Sequence, residues 1–191
     1  MNQPPWPRRL RTDRLDLLAI TVDDLAAVYR ITADPRHTKY MPGDQSESEQ
    51  AALAWLERRV SRWDTGGLGY WTARLPAAGE SATGEPATGE LIGIGGAERR
   101  PGFWNLYYLI DQAHWGRGYA TELARATQRT AAELDPELPL VAWIHADNAA
   151  SVAVARHLGL TDYGLLEPRH WQGEPMHCWA DRNPAPGVTA G

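Results

Sequence analysis

Asp111-Gln-Ala-His-Trp-Gly-Arg-Gly-Tyr-Ala-Thr-Glu122 is the stretch on which the fold of this 191-residue chain turns. It follows an apolar, strand-like run from Trp104 to Ile110. It opens a helical pattern from about Gly118 to Leu134 that Asp135-Pro136 stops. Gly116 and Gly118 stand at that strand-to-helix junction. Glycines there let backbone N–H groups approach a ligand, and the following helix end adds unpaired donors and a positive dipole end. That combination suits a pyrophosphate. A Walker-type loop would need Gly-Lys-Ser/Thr, and the stretch holds no lysine. A dinucleotide fingerprint would need a glycine where Thr121 stands, and would follow the first strand. Gly93-Ile-Gly-Gly96 leads into a charged strand end and no helix.

Downstream lie an apolar strand, Leu140 to Ile144, and a short helix from Ala150 to Leu158 stopped by Gly159. Closing strands follow near Leu160 to Leu166 and Met176 to Ala180. Upstream, Leu15 to Ala19 alternates like a strand, and Thr21 with Asp24 caps a helix carrying Leu25, Val28, Tyr29 and Ile31. Ser46 or Ser48 opens a second helix, with Ala52, Trp55, Leu56, Arg59, Val60 and Trp63 on one spacing. Strands at 70–75 and 91–95 flank Pro76 to Glu90, where Ala-Thr-Gly-Glu occurs twice; 76–90 reads as a flexible hairpin loop insertion. The order β-α-α-β-β-β-α-β-α-β-β predicts a mixed α/β (α+β) fold: a mostly antiparallel sheet with one parallel pair and helices on both faces. One domain is expected over 10–181, between an extended arm (1–9) and a disordered tail (182–191).

The 43% hydrophobic and 23% charged content suits a single globular domain. A formal charge of -5, from 19 basic and 24 acidic residues, argues against nucleic-acid binding. Apolar runs of strand length argue against a membrane span. No apolar segment backs the N-terminal arginines as in a secretory signal, and Cys178 is the lone cysteine, so a cytoplasmic location is expected. Cys178 itself reads as a small buried thiol. The histidines have no metal-ligand spacing, so no metal is expected. Lys39 is the single lysine, which leaves phosphate contacts by cationic side chains to arginine; Arg117 and Arg125 are placed for that or for a solvated helix face.

Two motifs carry a resemblance. Trp115-Gly-Arg-Gly-Tyr-Ala120, with Asn148-x-x-Ser151 followed by Leu158-Gly-Leu160, resembles the GNAT acetyltransferase superfamily in its ribosomal-protein N-terminal acetyltransferase (RimJ/RimL-like) branch. Trp115 replaces a leading Arg or Gln, and Leu160 a Phe. The resemblance implies acetyl-CoA as co-substrate and a parallel strand pair that splays around the pantetheine arm. The backbone at Leu109, Ile110 and Asp111 would bond that arm, and Trp115, Gly116, Arg117, Gly118, Tyr119 and Ala120 would hold the pyrophosphate. Asn148 would contact pantetheine, and Ser151 Oγ would protonate the leaving thiolate; helix capping is the other use of both residues. A glutamate acts as base in part of the branch, and Asn105 occupies that position, leaving a water relay through Asn105, Tyr107 or His145. Trp104 and Trp171, near element ends, are the aromatics placed to wall an acceptor pocket.

The implied acceptor is a primary amine. An α-amine, with a pKa of ~7.7 to 8, is free on the order of a tenth of the time at neutral pH, whereas a lysine amine at ~10.4 is free less than about 0.1% of the time. The missing carboxylate therefore favours a peptide or protein N-terminus. The alternatives are a small-molecule amine acceptor, or a catalytically weak acyl-CoA-binding sensor. The family analogy leaves a homodimer open.

Overall fold

A computed structural model describes residues 7–41, 45–65, 69–80, 86–166, 175–184 and 188. The strands are β1 (Arg9–Arg11), β2 (Asp16–Ala19), β3 (Tyr70–Glu80), β4 (Pro86–Arg100), β5 (Phe103–Ile110), β6 (Leu140–Ile144), β7 (Thr161–Leu166) and β8 (Met176–Ala180). The helices are α1 (Leu25–Thr32), α2 (Pro35–Thr38), α3 (Glu49–Thr65), α4 (Tyr119–Leu134) and α5 (Ala149–His157). One eight-stranded sheet runs β1-β2-β3-β4-β5-β6-β8-β7. Every neighbouring pair is antiparallel except β5 and β6. Among the described residues no helix is long and apolar enough to cross a membrane.

Alternation along the strands sorts the two faces. On one, a Cβ at Gly95 would come 2.7 Å from Tyr107 O and 2.8 Å from Leu123 Cδ2, so bare backbone there lets α4 lie against β4. The inward stripe of α4 (Leu123, Ala124, Ala126, Thr127, Thr130 and Ala131) is mostly small and fully buried. Its two threonines return their hydroxyls to the carbonyls of Leu123 and Ala126, which satisfies both hydroxyls within the seam. On the other face Trp55 of α3 packs on Tyr70 of β3, ring centroids 6.2 Å apart. Tyr70 in turn stacks on Tyr107 of β5 at 5.0 Å and 7°.

The parallel pair is short. β5 and β6 match only at Trp104/Leu140 and Asn105/Val141, and then part.

Two expectations about the margins change, and the extended N-terminal arm is tied to the sheet. The ladder between β3 and β4 continues past Leu75, pairing Pro76 with Thr88 and Glu80 with Pro86 through register shifts, so the 76–90 segment is largely strand and only 81–85 lies outside the described residues. A backbone ladder needs no side-chain burial, which is why a polar, repetitive sequence could carry it. Within the N-terminal arm, Arg9 pairs with Leu18, and Pro7 O accepts from Trp71 Nε1 at 2.8 Å. In the tail, Val188 is buried against a small apolar cluster that includes Phe103, Val141 and Cys178.

A Gly95→Val substitution should destabilise the fold by about 1–3 kcal/mol through overpacking. At roughly 2–4 °C per kcal/mol for a chain of this size, a thermal melt should fall by several degrees. An unchanged melting temperature would contradict the close seat of α4 on β4.

Candidate functional site

The site forms where β5 ends. Trp104 N–H donates to Pro139 O at 2.8 Å, and Asp111 N–H to Ile92 O at 2.7 Å, so successive residues of β5 face β6 and β4 in turn. Backbone groups at Leu109 and Asp111 are therefore directed to β4. Those of Tyr108 and Ile110 face the gap that β6 leaves. Ile110 O is already taken, accepting from Trp115 Nε1 at 2.6 Å. Of the three positions expected to bond an extended ligand arm, Ile110 has its N–H on the gap side, Leu109 and Asp111 face β4, and Tyr108 also faces the gap.

The loop beyond is built by short-range chemistry. Asp111 Oδ1 accepts from Ala113 N–H at 3.1 Å and starts a 3-10 turn, Gln112–His114. Trp115 N–H closes the turn on Gln112 O. Gly116 and Gly118 then adopt φ of +72° and +79°, which side chains resist, and Gly118 caps α4. From Gly116 to Thr121 the backbone N–H groups donate to no described residue. These six amides converge at the positive end of a sixteen-residue helix. A donor-only cradle of this kind fits the oxygens of a diphosphate. Trp115 was expected in that cradle, but its amide is spent within the turn.

One carboxylate stands close by, and it is turned away. Glu122 accepts from Thr12 Oγ1 at 2.6 Å, from Arg14 N–H at 2.8 Å and from Arg14 Nε at 2.7 Å. Burial alone would raise its pKa; the bonds from Thr12 and Arg14 outweigh that and hold the carboxyl below the usual range. Arg14 also donates from Nη1 to Arg117 O at 2.8 Å, and its guanidinium lies 4.8 Å over the Tyr119 ring. A cation from the β1–β2 turn thus braces the loop, a role no local signal in the sequence marks.

The loop's other side is fastened to α1 and α2. Gln112 N–H donates to His37 Nε2 at 2.7 Å, and His37 Nδ1 sits 2.8 Å from Ile31 O. A carbonyl only accepts, so the proton is on Nδ1 and the ring is neutral. His37 meets Trp115 edge-on, centroids 5.6 Å apart. Arg30 pairs with Asp111 and donates to Leu91 O.

Asn148 caps α5, its Oδ1 accepting from Ser151 N–H at 3.1 Å, which leaves its Nδ2 donors available. The Tyr108 hydroxyl reaches Ser151 O at 3.4 Å. Burial pushes that phenol up to about 12, slightly offset by the bond. Tyr108 therefore keeps its proton at neutral pH, near Ser151.

Asn105 lies on the opposite face, directly across from Glu98, with Tyr107 two residues on. His145 Nδ1 accepts from Asp147 N–H at 3.2 Å, so a neutral ring carries its proton on Nε2 and is a donor, unsuited to take a proton there. It stacks on Tyr40, whose hydroxyl donates to Asp147 O at 3.0 Å. Trp104 belongs to the main core, and Trp171 lies outside the described residues. Arg125 donates to His157 O, which ties α4 to α5. Cys178 is fully buried, and burial with the Asp162 charge lifts its thiol to about 11, well away from thiolate chemistry. Among the described residues no group of His, Cys, Asp or Glu could hold a metal.

Gly118→Val should weaken acetyl-CoA binding by at least about tenfold in calorimetry, because it strains the left-handed residue that aims the amides. Unchanged affinity would contradict the cradle. Glu122, with its lowered folded-state pKa, stabilises the protein fully above the ordinary glutamate range, and this is lost as pH falls through the lowered value. The stability gap between wild type and Glu122→Gln should therefore be widest near neutral pH and close in acid. A gap independent of pH would contradict the tether.

The sequence profile described as "Acetyltransferase (GNAT) domain" matches residues 14–161. The fold is similar to that of an acetyltransferase from Agrobacterium tumefaciens str. C58, with 28% identity over 92% of this chain and 94% of that one, TM-score 0.71. It is also similar to RimL, the ribosomal L7/L12 alpha-N-protein acetyltransferase solved with coenzyme A, with 16% identity over 88% and 94% of the two chains, TM-score 0.66. The microcin C7 self-immunity acetyltransferase MccE, solved with acetyl-CoA and AMP, is 12% identical over 92% and 96%, TM-score 0.69. With the profile spanning most of its length and the sheet, loop and helix ends arranged as above, the chain belongs to the GNAT acetyltransferase family.

Proposed function

We propose that the protein transfers acetyl from acetyl-CoA to the α-amine of a peptide or protein N-terminus by direct attack. The observation that carries the donor half is the run of unpaired amides from Gly116 to Thr121, beside a strand edge opened after two rungs. Acetyl-CoA supplies the activated acetyl thioester. The loop amides bind its diphosphate. The free N–H groups of Tyr108 and Ile110, with Asn148 Nδ2, line the pantetheine path. Ser151 Oγ, with the protonated Tyr108 phenol close by, supplies the proton that the departing thiolate needs.

The acceptor half rests on the groups of the opposite face, where the Glu98 carboxylate across from Asn105 is engaged by Arg100 and Arg59. Asn105 cannot take a proton, and His145 presents a donor. An amine that is already free in useful amounts needs no strong base, and an α-amine meets that condition where a lysine does not. Asn105 acts in this reading by holding a water that carries the proton away. The single, buried cysteine suits a reducing compartment such as the cytoplasm.

Peptide acetylation followed by CoA release should run on the order of a hundredfold faster at pH 7 on free N-terminal peptides than on N-blocked lysine peptides. With an α-amine substrate the rate should rise with pH up to about 8 and then level off, following the free-amine fraction. Preference for lysine would contradict the α-amine reading. Asn105 motivates a second reading, an acyl-CoA-binding sensor; tight coenzyme binding without turnover on any amine would favour it.

A further inference from the structure

On the α3 face of the sheet, next to Asn105, lies a set of charges that the transfer reaction as derived does not use. Glu98 of β4 is 6% exposed and sits directly across from Asn105, at the last rung before β5 and β6 part. Two guanidiniums flank its one carboxylate. Arg100 Nη2 donates to Oε2 at 2.8 Å, and Arg59 Nε approaches Oε1 only to 3.8 Å. Arg59 comes from α3, where it occupies the spacing of the inward stripe. Its side chain is 19% exposed and lies 4.4 Å over the Trp55 ring. Among the described residues its Nε has no hydrogen-bond partner. Arg59 Nε, Arg100 Nε and Trp55 Nε1 are all buried donors without an acceptor.

Buried donors left unmatched are costly, and three of them gather beside Glu98. The local charge is one positive unit in excess, and every unmatched atom is a donor. The complement is a group that only accepts and carries negative charge, and the planar guanidinium fork matches a carboxylate. The coenzyme's side of the gap is the α4–α5 face, where Ser151 and Tyr108 meet. The amine must then arrive from the face that holds Asn105, Glu98 and Arg59.

We propose that Arg59, supported by Trp55 and Arg100, anchors a carboxylate of the acceptor, so that the preferred substrate is an acidic amine. This rests on the acetyltransferase reading above. The carboxylate comes either from an acidic side chain near a peptide N-terminus or from a free amino acid. Glu98 holds the two arginines in place and competes with the incoming acid for them.

The test pairs acids with their amides: Ser-Asp- against Ser-Asn-headed peptides, and free glutamate against glutamine. Wild type should favour the acid at least tenfold in kcat/KM, chiefly through KM, in the peptide pair, the amino-acid pair or both; which pair responds identifies the source. Arg59→Gln should bring the ratio close to one. Glu98→Gln should lower KM for the acid acceptor, whereas a purely structural ion pair would give an unchanged or higher KM. Calorimetry of the corresponding N-acetylated acid and amide products on the CoA-saturated protein reads the same discrimination without turnover. Acid-selective binding that Arg59→Gln abolishes upholds the anchor even if no amine reacts, in which case the acetylation reading fails alone. Turnover or binding that treats acid and amide alike in wild type overturns the anchor and leaves acetylation standing.

Discussion

A parallel strand pair that stops after two rungs is the constraint on which the rest depends. Past Asn105 and Val141 the two strands have separate partners: β5 keeps its ladder to β4, and β6 its ladder to β8. Backbone groups on the freed side of β5 must then find something else to bond. One of them, Ile110 O, is satisfied internally by the Trp115 indole. The gap also separates the faces. Tyr108, whose hydroxyl donates to Ser151 O, lies on the α5 side, and the Asn105 level of the sheet lies on the α3 side.

The cradle at the head of α4 depends on tethers that come from far away in the chain. Its glycines free the amides to converge, but the Thr12–Arg14 turn and the His37 ring hold the loop from its two ends. The Glu122 tether does two things at once. It holds the Glu122 carboxylate on Thr12 and Arg14, and it brings the Arg14 guanidinium to the loop's rim. His37 links the loop before α4 to α1 and α2 through one imidazole.

Much of this was legible in the sequence, for identifiable reasons. Hydrophobic spacing marked nearly every strand and helix, because each buries one face. Gly116, Gly118 and the capping Asn148 were legible because their conformations or bonds are local. The tethers were not. Arg14 N–H and Glu122 are 108 residues apart, and Gln112 and His37 are 75 apart, so nothing in either neighbourhood announces the other. Strand parity was also hidden: side-chain pattern says which residues are buried, but not which backbone groups face a gap. That is why the pattern did not show that Tyr108 faces the gap while Leu109 and Asp111 face β4. Arg59 is an intermediate case. A cation on an apolar stripe was visible, but that its Nε meets no acceptor among the described residues required the fold.

Backbone amide spectra of the isotope-labelled protein, recorded while coenzyme A is added, test the heart of the matter most directly. The resonances of Gly116, Arg117, Gly118, Tyr119 and Ala120 should move downfield together as their N–H groups engage phosphate oxygens, with Tyr108 and Ile110 following along the freed edge. Saturable binding that leaves those five amides in place and shifts a different part of the sheet would contradict the cradle.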